Sequence, residues 1–231
     1  MPERVAEGVF LVGGSDLSHP ADCLVYALDL GELVLIDCGA GPGWRRIREQ
    51  LKAVGLDSRA VHTLVLTHGH IDHIGAAALA VADSGCRVVA HELDRAAIES
   101  GDPAATAASW YGLRLAGIPV DHPVNCAGET LEFSRGRLRL QHTPGHTPGS
   151  MVAWLEVDGE TILFGQDIHG PFDDAFGSDI RRWCNSMEGL LGAGADVLCE
   201  GHYGVYRGRE RVDAFIEDQL RAHGMWRGGR R

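Results

Sequence analysis

Four side chains suited to a divalent metal fall within the stretch Thr67-His68-Gly69-His70-Ile71-Asp72-His73-Ile74-Gly75. Imidazole nitrogen and carboxylate oxygen together favour Zn²⁺, with Fe or Mn as alternatives. The apolar run Thr63 to Leu66 precedes them and an Ala-rich run follows, so the donors sit at a strand-to-helix junction. His68 and His70 are two apart and point to the same side of an extended segment, whereas Asp72 and His73 fall where a helix would begin. The motif can therefore face two pairs of donors toward one pocket. The competing reading is a histidine-rich polar turn, and it weakens if the missing donors occur downstream. Candidates are present at His146, Asp167 and His202.

The elements that must position these donors are legible from the apolar pattern. Strands are expected from Val5 to Val12 and from Cys23 to Leu30, then, after the turn Asp29-Leu30-Gly31-Glu32, from Leu33 to Asp37. Helical spacing of Ile47, Leu51 and Val54 follows, and the strand that ends at the motif comes next. A helix is expected over about 73–84, a buried strand over 87–90, and helices over 91–100 and 104–116. Trp110 and Tyr111 on this last segment read as core packing, with a wall over a substrate pocket as the alternative. Short strands at 129–133 and 137–142 lead into His142-Thr143-Pro144-Gly145-His146-Thr147-Pro148-Gly149-Ser150, a turn stiffened by two prolines. A hairpin over 151–164 ends in Gly165-Gln166-Asp167, and a helix over 179–191 precedes the strand 196–199. Glu200-Gly201-His202-Tyr203-Gly204, a helix near 210–223 and a frayed tail at 224–231 complete the pattern.

The halves echo one another. Residues 30–37 resemble 158–167, and Val65-Leu66-Thr67-His68-Gly69-His70 aligns with Val197-Leu198-Cys199-Glu200-Gly201-His202. In that alignment His202 takes the place of His70 and Asp167 that of Asp37. A duplication of this kind predicts two β-rich layers related by a pseudo-twofold, with helices outside and the site at the seam.

Bulk properties narrow the partners. With 231 residues, 45% of them hydrophobic, the chain can bury a sizeable core. A net charge of −11 repels nucleic acid and anionic membrane, leaving a small-molecule substrate as the expected partner, with a homo-oligomer possible. No export signal and no run of about 20 apolar residues is evident, so the reading is a soluble cytoplasmic protein. Six cysteines without a CxxC pair read as reduced, buried thiols.

His68-x-His70-x-Asp72-His73, followed in order by His146, Asp167 and His202, resembles the metallo-β-lactamase superfamily over nearly the whole chain. The resemblance implies an α/β fold, an αββα four-layer sandwich formed by residues 1–231 as a single domain. It also implies two divalent metal ions, Zn or alternatively Fe or Mn: His68, His70 and His146 would hold one, Asp72, His73 and His202 the other, and Asp167 would bridge them. Asp72 is also the expected catalytic residue, orienting the water and handing a proton to the leaving group. Asp37 is expected to fix a ligand histidine's tautomer. His169 and Tyr203 follow ligands closely and are candidates for substrate contact or for packing, and His142 is expected to be structural.

The turn from His142 to Gly149 and the bridging Asp167 most resemble the glyoxalase II-like branch. The expected reaction is attack of a metal-bridging hydroxide on the carbonyl of a thioester, with a lactone or other ester as the nearest variant. Only residues 203–231 follow His202, too few for the helical domain through which glyoxalase II binds glutathione, so the resemblance does not extend to glutathione specificity. The alternatives are a mononuclear iron persulfide dioxygenase, against which the complete donor set argues, and a nuclease or phosphodiesterase of the same fold, against which the acidic charge argues. A true β-lactamase is disfavoured by the missing export signal.

Overall fold

The computed structural model describes residues 1–125 and 128–225. Its strands form two sheets. The first holds β1 (Glu3–Ala6), β2 (Val9–Gly13), β3 (Val25–Asp29), β4 (Leu33–Ile36), β5 (Val61–Val65), β6 (Arg87–His91) and β7 (His122–Val124), adjacent in chain order. The second holds β8 (Gly128–Phe133), β9 (Gly136–His142), β10 (Met151–Val157), β11 (Glu160–Gln166), β12 (Val197–Glu200) and β13 (Val205–Arg207), likewise in sequential order.

Alternation along the strands divides the core into three apolar layers. Val34 and Ile36 face the other sheet and meet Phe164, Ile162 and Leu138. Leu33 and Leu35 face outward, where Ile47 and Leu51 of α1 (Trp44–Ala53), Ala77 and Ala80 of α3 (Ala77–Ser84) and Ile98 of α4 (Glu92–Ser100) cover them. On the far side, Leu163 and Leu198 pack under Trp183 and Met187 of α6 (Ile180–Leu190) and Ile216 and Leu220 of α7 (Arg209–Ala222). The result is the expected αββα sandwich. No helix of the described residues is long and apolar enough to cross a membrane.

Several elements differ from the sequence pattern. The first expected strand is a hairpin, turned at Gly8 with φ 68°. The expected helix over 73–84 is two pieces, α2 (Ile71–Ile74) and α3, because the chain at Gly75 passes against Ala40 so closely that a Cβ would lie 2.2 Å from its carbonyl oxygen. The expected helix over 104–116 reduces to α5 (Ala108–Tyr111), bounded by left-handed residues Ala107 and Gly112. Strands β7 and β13 were not expected, being three residues each. The five described cysteines are buried; Cys126 lies outside the described residues, as does the tail beyond Met225.

The internal echo appears in topology, with a corrected register. An antiparallel pair followed by a parallel neighbour occurs as β3-β4-β5 and again as β10-β11-β12. Leu35 pairs with Leu64 and Leu163 with Leu198, so the second half is offset by two residues from the sequence alignment. His202 therefore corresponds to His68 rather than His70. A bulge after Phe164 adds a second shift: Gln166, at φ 47°, corresponds to Asp37, at φ 60°. Apolar strands align equally well in either register by sequence, and only the ladder distinguishes them.

Candidate metal centre

All seven predicted donors come from segments beyond the ends of the central strands. His68, His70, Asp72 and His73 follow β5, Asp167 follows β11 and His202 follows β12, while His146 lies in the connection between β9 and β10. Two backbone hydrogen bonds draw these segments together across the sheets: Met151 N–H donates to the Thr67 carbonyl at 2.8 Å, and Leu24 N–H to that of Gly201 at 2.7 Å. Gly201 leaves room for the neighbouring carboxylate, since a Cβ there would stand 2.4 Å from Asp167 Oδ1.

The donors converge as two clusters, His68-His70-His146-Asp167 and Asp72-His73-Asp167-His202, with the offered atoms of each within 4.8 Å of one another. In the first, His146 Nε2 lies 3.2 Å from His68 Nε2 and 3.0 Å from His70 Nδ1. In the second, His202 Nε2 lies 3.2 Å from Asp72 Oδ2 and 3.4 Å from His73 Nε2. Asp167 belongs to both: its Oδ2 is 3.5 Å from His146 Nε2, and its Oδ1 is 3.1 Å from His73 Nε2. Donors holding one small cation at about 2.1 Å sit roughly 3 to 3.5 Å from each other, so these spacings suit a bound ion.

Proton positions sharpen that fit. His146 Nδ1 faces the Pro171 carbonyl at 2.7 Å, an acceptor only, so it carries the proton and Nε2 presents a lone pair to the cluster. His73 Nδ1 likewise donates to Asp37 Oδ2 at 2.7 Å. Thr67 Oγ1 donates to the same carboxylate oxygen at 2.8 Å, which leaves it to accept from His68 Nδ1 at 3.2 Å. Asp37 thus sets the tautomer of one histidine in each cluster, directly for His73 and through Thr67 for His68. In the first cluster the lone pairs of His146 Nε2 and His68 Nε2 meet across 3.2 Å in a buried pocket, which calls for a cation between them. Asp167 Oδ1 is also buried without a hydrogen bond.

Charge differs between the clusters. Burial holds His68 and His70 well below the usual imidazole pKa and lowers His146, keeping all three neutral. Burial also opposes charge on His73, but the Cys23 sulfur and the carboxylates of Asp167, Asp37 and Asp72 overcome it and raise the pKa well above its ordinary value. His202 is driven up to about 10, because Asp167 and Asp72 outweigh its burial.

Sequence reasoning missed two supporting residues. Buried Asp94 accepts from Gly69 N–H at 2.9 Å, Thr147 Oγ1 at 2.7 Å and Gly149 N–H at 2.7 Å, tying the first histidine loop to the loop of His146. Nothing in the spacing of α4 distinguishes it. Glu200 accepts from His202 N–H at 2.6 Å and Tyr203 N–H at 2.8 Å with one oxygen and faces His169 Nδ1 at 2.8 Å with the other. The available signal was an apolar strand ending on a carboxylate, the same signal that singled out Asp37 and Asp167. Tyr111 Oη donates to Asp72 Oδ2 at 3.0 Å. With Trp110 57% and Tyr111 40% exposed, neither is core; both border the site, as do His169 and Tyr203. His142 packs flat on His91, ring centroids 3.9 Å apart, and meets the Pro148 carbonyl, away from both clusters.

The family model of the metallo-beta-lactamase superfamily matches residues 19–204, a span that contains every one of these donors. The chain belongs to that superfamily. Superfamily members typically bind two metal ions, in keeping with the two clusters. The chain is 35% identical over 146 residues to the hydroxyacylglutathione hydrolase GloC of Haemophilus influenzae, covering 62% of this chain and 65% of that protein. It is 29% identical over 147 residues to the probable metallo-hydrolase YqgX of Bacillus subtilis, covering 63% and 66%. The chain thus matches just under two thirds of the length of these two relatives. Among solved structures, a metallo-β-lactamase of Cronobacter sakazakii with a mutated HARLDQ motif superposes with a TM-score of 0.82 at 20% identity, over 97% of this chain and 95% of that one. That likeness concerns the fold.

Proposed function

We propose that this metallo-hydrolase homologue is a dinuclear enzyme that hydrolyses a thioester, with a lactone or other ester as the nearest variant. The observation that carries the reading is the sharing of Asp167 between two clusters of lone-pair donors. Two divalent ions, Zn²⁺ for this donor set, would supply Lewis acidity toward a carbonyl oxygen and a water acid enough to ionise near neutral pH. His68, His70 and His146 would hold one ion, and Asp72, His73 and His202 the other, with Asp167 within reach of both.

The chain's own groups do the rest. Asp37 fixes a proton on Nδ1 of His73 and, through Thr67, on Nδ1 of His68, so that Nε2 of each is the nitrogen aimed inward. Asp72, at the pocket mouth, is the group placed to orient the attacking water and to pass a proton to the leaving group. A thiolate leaves readily, so little further acid assistance is required. Tyr111, already hydrogen-bonded to Asp72, restricts that carboxylate and narrows the approach to it. Similarity to a hydroxyacylglutathione hydrolase supports the thioester class without fixing the acyl or the leaving group.

The test is a panel of thioesters, lactones, phosphodiesters and persulfides offered to the Zn-loaded protein and to protein stripped by chelation. Thioester turnover should vanish on stripping and return with Zn²⁺. One iron per chain with oxygen uptake on a persulfide would overturn the proposal.

A further inference from the structure

The mouth over the two clusters is small and aromatic. Its cavity is about 260 Å³, and no lysine or arginine is among the residues that line it. Ligand pockets commonly run from about 300 to 1,000 Å³, so this one suits a compact group. Three of the chain's exposed large apolar side chains, Trp110, Tyr111 and Tyr203, stand around it, the last 62% exposed. Trp110 is propped against Phe176, ring centroids 4.7 Å apart, and Phe176 in turn rests on His70 at 4.4 Å. Tyr203, also lining the mouth, packs edge-on to His169 at 4.8 Å.

We infer that this mouth selects an uncharged ester or thioester carrying a compact aromatic or similarly flat apolar group, held between Trp110–Phe176 and Tyr203, and discriminates against glutathione and coenzyme A conjugates. The inference rests on the hydrolase reading for the reaction, but recognition can be tested separately. Flat apolar groups gain from stacking on exposed aromatic faces. A glutathione conjugate brings two carboxylates and one ammonium, and a coenzyme A conjugate several phosphate charges. Recognising those anions takes arginine or lysine, preferably in bidentate geometry. Among the described residues the mouth offers none, and the overall charge of −11 opposes their approach.

Equilibrium binding of two non-hydrolysable thioethers to the Zn-loaded protein tests this directly: S-benzyl-N-acetylcysteamine, which is neutral, and S-benzylglutathione, which shares its aryl group. The neutral compound should bind at least tenfold tighter. Trp110→Ala, checked for unchanged metal content and melting temperature, should weaken the neutral compound about tenfold, and Tyr203→Arg should shift the preference toward the glutathione conjugate. Equal or tighter binding of S-benzylglutathione by the native protein would overturn the inference, as would a Trp110→Ala variant of native affinity. If the tenfold preference holds but neither matching benzoyl thioester is hydrolysed, the reaction class fails and the recognition stands.

Discussion

The two clusters share one carboxylate and differ in nearly everything around it. The first has three neutral imidazoles, each buried, with His146 and His68 backed by a carbonyl and a hydroxyl. The second has one aspartate of its own and two histidines whose pKa values are raised, and its His202 side chain is 29% exposed at the pocket mouth. A cation entering the first cluster displaces no proton at pH 7. One entering the second must displace at least the proton on His202. On the proposed reading, the first cluster would hold an ion more tightly at neutral pH and the second would exchange one more readily.

Removing what the clusters share has the largest consequence. Asp167→Ala should lose both ions and reduce turnover by on the order of 10³-fold or more, read by metal content and kcat/KM. Removing what only the second cluster owns should separate them: His202→Ala should retain one ion per chain while kcat/KM falls about a hundredfold. A variant that lost both ions equally would break the distinction. The tautomer relay offers a finer cut. Asp37→Asn should weaken binding at both clusters by about 10- to 100-fold, whereas Thr67→Val should weaken the first cluster more than the second. Competition against a chromogenic chelator measures both.

Acidity gives the smallest and most specific effect. Because the folded, metal-free protein raises His202 to about 10, that group is protonated throughout pH 6 to 8, and with His73 raised as well each unit of pH lost should cost the second ion at least tenfold in affinity. His68, His70 and His146 are all lowered, so affinity at the first cluster should fall less steeply with acid than at the second.

Much of this was legible in the chain itself. The donors were identifiable because each sits where an apolar strand or a proline-glycine turn ends abruptly in a polar residue, and the sandwich because strands of both kinds carry apolar residues on each face. Register was not legible: runs such as Leu33 to Ile36 and Thr161 to Phe164 match in several alignments, and only the pairing of Leu35 with Leu64 and Leu163 with Leu198 fixed the offset. Asp94 was hidden because its partners, Gly69, Thr147 and Gly149, are distant in sequence. For Trp110 and Tyr111 the pattern favours core packing over a pocket wall because aromatic residues are usually buried; their exposure and their contacts with Phe176 and Asp72 support the wall.

Calorimetric titration of the metal-free protein with Zn²⁺ at pH 7, in buffers of different ionisation enthalpy, tests the central claim most directly. Two ions per chain should bind in distinguishable steps, the tighter releasing almost no protons and the weaker releasing at least one. A single ion, or two steps with the same proton release, would contradict it.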